Sequence, residues 1–319
     1  MMKRIPIILL CTLIILNFPI TKVSASNFIN NENISLFADE ILNKPDYKTS
    51  MIQNLLILMI AYPEYITDIL CENDNIYIVM KSGKKFIYDD KKNKTPEEKL
   101  NNPDIHDMME EMYPLTKTNE IMPKDFNPGR IRHYGLLNEV YGNSQSAIEK
   151  NLCTLKYGYT NYQFNSKNAA NKAHENTMKE LVPLSKEDNK IAAILYPASG
   201  TYNYRLISGT GRLSPHAYCI TIDLKSDKRD YWKWSPVEKG KSRLLEYPDE
   251  LVSAFENHNF VWGGKWGYFD ILHFEYRPEI ILKAKYFSDY NNDEQWFKGT
   301  PSEDNYVKEC IELIESKIQ

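Results

Sequence analysis

Four residues in two short segments constrain this chain more than anything else in it. They are His216 and Asp223 in Ser-Pro-His-Ala-Tyr-Cys-Ile-Thr-Ile-Asp (214–223), and Asp270 and His273 in Asp-Ile-Leu-His-Phe-Glu-Tyr (270–276). Two imidazoles and one carboxylate form the three-ligand set used by catalytic zinc, which leaves a fourth position open to water. A second carboxylate beside them is then free to act as a base. Either histidine alone reads as an ordinary structural residue, and only the combination carries the signal.

Side-chain alternation sharpens this reading. If Cys219–Leu224 is a strand, Ile220, Ile222 and Leu224 share one face and Cys219, Thr221 and Asp223 the other, so Asp223 is aimed away from the aliphatic core. In the second segment Asp270 and His273 are separated by an odd number, which puts them on opposite faces of a regular strand. Asp270 must therefore precede the strand, or a bulge must turn it, if both are to serve one site.

The N-terminus has the order of a secretory leader: Met-Met-Lys-Arg, an apolar run from Ile5 to about Phe18, then Val23-Ser24-Ala25 before Ser26. The apolar run falls short of the roughly 20 residues that span a bilayer, and Asn17 and Pro19 interrupt it. Residues 1–25 are expected to be removed on export, leaving a secreted, cell-wall-associated protein with no membrane span. With 319 residues, 42% of them hydrophobic, the chain can bury one core or two. A net charge of -4 argues against a nucleic-acid partner. Cys71, Cys153, Cys219 and Cys310 remain after the leader; nothing in their spacing favours a disulfide framework, and free buried thiols are at least as much to be expected.

Met51–Tyr62 is apolar almost all round and reads as a buried helix. Asn75–Met80 and Lys85–Tyr88 flank Ser82-Gly83 as a hairpin. The charged stretch Asp89–Asn102, with Pro96, reads as a solvated connector. Helices are expected over Arg130–Tyr141, Ser144–Lys156 and Ser166–Leu181, with Ser144 and Ser166 as caps. Strands are expected at Ile191–Leu195, Tyr202–Ser208, Cys219–Leu224 and Ile271–Tyr276, with a helix at Pro248–Asn257. Irregular alternation favours an α+β domain around an antiparallel sheet. A boundary near Asp125 divides a smaller α+β domain of unassigned role, 26–124, from the domain carrying the motifs, 125–319. His106, His133, His174 and His258 read as surface or structural.

The two motifs resemble those of the bacterial zinc peptidases that cut wall peptides, the VanY-like D-alanyl-D-alanine carboxypeptidases and L-alanyl-D-glutamate endopeptidases. Ser214 to Asp223 is similar to their Ser-x-His-x-x-Gly-x-Ala-x-Asp. Tyr204–Thr210 and Phe260–Trp266 extend the likeness over roughly 129–287. The resemblance implies a hedgehog/DD-peptidase type domain, one zinc ion held by His216, Asp223 and His273, and Asp270 as general base to a zinc-bound water. It also implies that Arg205 faces the substrate, where a guanidinium grips a carboxylate; a surface or structural salt bridge is the other reading of this arginine. Ser214 either bonds the substrate backbone or shapes the turn before His216. Trp262 and Trp266, around Gly263-Gly264, are either groove walls or core aromatics.

Cys219 stands where the family has glycine and Thr221 where it often has alanine, which by alternation brings bulk near the site. Asp270 resembles the endopeptidase branch, because carboxypeptidases commonly present glutamate there. The expectation is a monomeric exported zinc carboxypeptidase acting on peptidoglycan stem peptides. The alternatives are the endopeptidase or a non-catalytic wall-binding protein.

Overall fold

The computed structural model describes residues 46–157, 160–290 and 294–318. The expected leader lies outside the described residues. The described residues all fall within one compact unit.

The fold is α+β. The helices are α1 (Tyr47–Ala61), α2 (Pro96–Asn101), α3 (Ile105–Met109), α4 (Tyr134–Tyr141), α5 (Gln145–Glu149), α6 (Ala170–Glu187), α7 (Asn189–Leu195), α8 (Pro215–Tyr218), α9 (Val237–Leu244), α10 (Asp249–Asn257), α11 (Pro278–Phe287) and α12 (Asn305–Lys317). Three small antiparallel sheets accompany them: β1 (Ile66–Glu72), β2 (Asn75–Met80) and β3 (Lys85–Ile87) in that order, the hairpin β4 (Leu152–Tyr157) and β5 (Thr160–Asn165), and β6 (Thr221–Asp223) and β7 (Phe260–Trp262) on either side of β8 (His273–Tyr276).

The apolar run at Met51 is indeed a buried helix. Leu55, Leu56, Ile57 and Leu58 of α1 have no exposed surface, because α11 and α12 pack against it. Tyr62, at its C-terminal end, donates to Glu279 of α11 over 2.7 Å. Tyr113 donates to the buried Glu256 of α10 over 2.6 Å. Residues on the two sides of the expected boundary near Asp125 thus share buried contacts.

Several sequence expectations are corrected. Ile191–Leu195 is helical, because Asp188 accepts from the Lys190 N–H and Ile191, Ile194 and Leu195 fall on one buried face. Tyr202–Ser208 forms no strand beyond a single bridge from Leu206 to Leu213. Ser144–Lys156 divides into α5, capped by Ser144, and β4, whose cross-strand partners all lie in β5. Helix α4 starts at Tyr134, where the His133 ring accepts from Leu136 N–H, and Ser166 makes no side-chain cap. The charged connector is only partly solvated: Pro96 occupies the first turn of α2 behind a Thr95–Glu98 capping box. The Lys94 ammonium is buried 3.0 Å from Asp90, 2.8 Å from Asp104 and 2.6 Å from Asp107. His106 also lies at ligand spacing from Asp104 and Asp107.

His174 is structural and fully buried, stacked on Phe164 with ring centroids 4.4 Å apart. Neither ring nitrogen has a protein hydrogen-bond partner among the described residues. Burial therefore pushes its pKa down to about 3. Above the unfolded-state value of about 6.5 the ring is neutral in both states and contributes no pH dependence. As pH falls below that value only the unfolded chain takes up the proton, and stability is lost down to the folded pKa. Between pH 6.5 and 5 the loss approaches roughly 2 kcal/mol. Urea unfolding at pH 7 and pH 5 is expected to show this excess loss in the native protein and its disappearance in His174→Phe. Equal acid sensitivity of the two proteins would assign the loss elsewhere.

Candidate active site

The sheet β6–β8–β7 brings the two motifs together. Its register sets Asp223 opposite His273, Ile222 opposite Phe274 and Thr221 opposite Glu275. Cross-strand partners share a face. Asp223, His273 and Glu275 therefore project together, while Ile222 and Phe274 enter the core, where Phe274 stacks on Phe255 with centroids 4.0 Å apart.

His216 arrives from the short helix α8. Ser214 caps it, accepting from the His216 N–H over 3.3 Å, so this serine shapes the turn. The helix ends at Cys219, which takes the left-handed conformation with φ 57° and ψ 45° and directs the chain into β6. This corrects the sequence reading. Cys219 is not a strand residue, and glycine suits that position because a left-handed backbone strains any residue with a Cβ. Its buried thiol donates to the Gln163 carbonyl over 3.0 Å. It is outside both the ligand cluster and the cavity lining. Among the described residues all four cysteines are free.

The donor atoms of His216, Asp223 and His273 lie within 4.8 Å of one another, a group able to hold a metal ion. His216 Nε2 is 3.2 Å from Asp223 Oδ2, and His273 Nδ1 is 2.8 Å from Asp223 Oδ1. The outward nitrogens are engaged: His216 Nδ1 lies 3.0 Å from the Thr201 carbonyl and His273 Nε2 3.5 Å from Glu275. Such outer partners fix ring orientation and the tautomer that faces a metal. Thr201 is itself positioned because Gly200 bridges to Asp223, with Asp223 N–H donating to its carbonyl over 2.9 Å.

Glu275 is fully buried and receives Arg132, whose Nε is 2.8 Å from one carboxylate oxygen and whose second nitrogen reaches the other. Arg277 lies 3.6 Å from Glu275 and donates to Glu279 over 2.6 Å. Burial would raise the Glu275 pKa, but Arg132, His273 and Arg277 hold it well below the carboxylate range. Asp223 is likewise held low, because the two histidines outweigh its burial. Burial opposes protonation of His273, yet its contacts with Asp223 and Glu275 and the charge of Asp270 raise its pKa to about 10.

Asp270 precedes β8, as the odd spacing required. Its backbone is fixed twice, by its N–H on the Gly263 carbonyl at 2.9 Å and by a bridge to Tyr231. A Cβ on Gly263 would collide with the Asp270 carbonyl, which gives the Gly263-Gly264 pair a physical reason. Burial pushes the Asp270 pKa up to about 7, with a contribution from the like charge of Asp223 and against the pull of His273 and His216.

His216, Asp223, Asp270 and His273 line a cavity of about 520 Å³. Arg205 and Ser214 also line it, Arg205 exposed and Ser214 buried. Trp266 borders it, 5.7 Å from the His273 ring, whereas Trp262 is a core aromatic donating to the Ile271 carbonyl over 2.7 Å. Arg130 and Tyr268, which the sequence reading missed, are part of the lining. Glu275 was within its reach, because it follows His273 by two residues and so must share its face.

Residues 208–276 match the family model for D-alanyl-D-alanine carboxypeptidase. No curated protein and no solved structure matches the chain. The matched segment holds all four motif residues but is narrower than the likeness read from the sequence, and Arg205 and Arg130 precede it.

Proposed function

We propose that the protein is an exported zinc peptidase that removes the terminal D-alanine from peptidoglycan stem peptides. The observation that carries this reading is the His216–Asp223–His273 cluster beside Asp270, within a segment that matches the D-alanyl-D-alanine carboxypeptidase family model. The donor set suits zinc: two imidazoles with their outer nitrogens engaged, and one ionised carboxylate. A bound zinc ion supplies Lewis-acid polarisation of a carbonyl and lowers the pKa of water.

The chain's own residues do the rest. His216, Asp223 and His273 would hold the ion, and Thr201 and Glu275 orient the two rings. Asp270, which lines the same cavity, would accept a proton from the attacking water and return it to the leaving amine. The cavity fits a ligand of a few residues, with the exposed Arg205 at its edge as a contact for substrate. The finer fold assignment, a hedgehog/DD-peptidase type domain, belongs to the same reading. So does export to the wall, which rests on the residue pattern at 1–25.

The test is incubation of the purified protein with defined pentapeptide and tetrapeptide muropeptides, with zinc and after chelation, with products read by mass spectrometry. Zinc-dependent loss of one alanine from the pentapeptide is expected. A cut between L-alanine and D-glutamate would move the protein to the endopeptidase branch, which the shorter Asp270 arm resembles. Zinc binding without cleavage of any peptide would leave a wall-binding protein.

A further inference from the structure

One wall of the cavity is a loop held in place from outside the site. Arg205, Ile207 and Ser208 line the cavity, and all three lie in the loop 204–213, between Thr201, whose carbonyl faces His216, and Ser214, which caps α8. The loop closes on itself. Leu206 bridges to Leu213, the Ile207 N–H donates to the Arg212 carbonyl over 2.8 Å, and the Ser214 N–H donates to the Arg205 carbonyl over 2.9 Å. Its tip is open: a Cβ added at Gly209 or Gly211 would meet nothing within 4 Å, and Tyr204 and Leu206 are exposed.

Arg212, itself outside the lining, donates through its guanidinium to the Leu100 carbonyl over 2.7 Å. Among the described residues this is the one hydrogen bond that ties 204–213 to the chain beyond 199–216. Leu100 lies in the last turn of α2, where carbonyls lack a partner within the helix and a cation is favoured. Helix α2 is fixed in turn. It starts at the Thr95–Glu98 capping box, Lys94 just before it is buried among Asp90, Asp104 and Asp107, and Lys99 reaches Glu110. A line of polar contacts therefore runs from the 89–110 stretch, which carries none of the motif residues, through Arg212 to the cavity wall.

We propose that the 89–110 stretch is a prop for the binding cavity: Leu100 fixes Arg212, and Arg212, as a positioning residue, holds the wall formed by 205–208 in its ligand-binding shape. The effect on turnover rests on the peptidase reading; the anchoring does not. A contact that shapes the binding wall and leaves the metal ligands and Asp270 in place acts on KM rather than on kcat.

The experiment compares the zinc-loaded full chain with Arg212→Met, which keeps the aliphatic stem, and Arg212→Lys, which keeps a charged donor. Amide hydrogen exchange is read first, without substrate. In Arg212→Met the Ile207 and Ser214 N–H groups are expected to exchange about tenfold faster or more, with β8 unchanged and with partial recovery in Arg212→Lys. On the pentapeptide muropeptide, KM of Arg212→Met should rise about tenfold while kcat stays within about threefold and zinc affinity stays native, again with recovery in Arg212→Lys. Native exchange in Arg212→Met would overturn the anchor, and faster exchange with native KM would overturn its role in binding. Parallel losses of kcat, zinc affinity and β8 protection would make Arg212 a general packing residue and reject the proposal. If the native protein cuts no peptide, the peptidase reading falls, and exchange alone decides whether the prop exists.

Discussion

Asp270→Asn is expected to lower turnover by about three orders of magnitude, in line with the loss of a positioned acid–base group, while one equivalent of zinc still binds. The substitution keeps the size of the side chain and removes its ability to take a proton. The backbone contacts that hold the residue, from Gly263 and Tyr231, do not involve the side chain and should persist. Asp270 is not one of the three residues in the ligand cluster, so metal affinity should stay within about tenfold of native. Peptide turnover and zinc stoichiometry measured on the same sample separate the two effects. Undiminished turnover in the variant would remove Asp270 from the mechanism.

Glu275→Gln should act on stability and on metal binding together. The carboxylate has no exposed surface and neutralises Arg132 while facing His273 and Arg277. Removing one member of a buried charge pair leaves its partner uncompensated, a loss of about 3–5 kcal/mol. Part of the Arg277 charge remains answered by Glu279, so the lower end of that range is expected. The His273 ring also loses the anion behind its Nε2, and such outer partners are worth about 10–100-fold in metal affinity. Denaturant unfolding with chelator present reads the first effect, and zinc competition titration the second. Lowered stability with native zinc affinity would make Glu275 a packing residue only.

The clustering of the candidate ligands was more legible in the sequence than the architecture. His216, Asp223 and His273 stood out because few residue types bind zinc, and the position of Asp270 before its strand followed from counting. Ile191–Leu195 misled because a short apolar run suits a buried strand or a helix face equally, and the Asp188 cap decides it. Cys219 misled because alternation was counted through a residue whose left-handed backbone resets the phase before β6 begins. Arg130 left no trace in the pattern, because nothing around position 130 in the sequence marks it as part of the cavity lining, which only the packed structure reveals.

The contact between Tyr62 and Glu279 bears on portability. From the first helix a relay runs through Tyr62, Glu279, Arg277 and Glu275 to the ring of His273. The stretch that a family signature recognises, 208–276, is therefore smaller than the stretch that can stand alone. A graft of the metal motifs onto another scaffold would leave behind Tyr62, Arg132, Arg277 and Glu279, all outside the recognised stretch, and the fully buried Glu275 would need new cationic partners. In this chain the recognisable piece and the inheritable piece are different lengths of polypeptide.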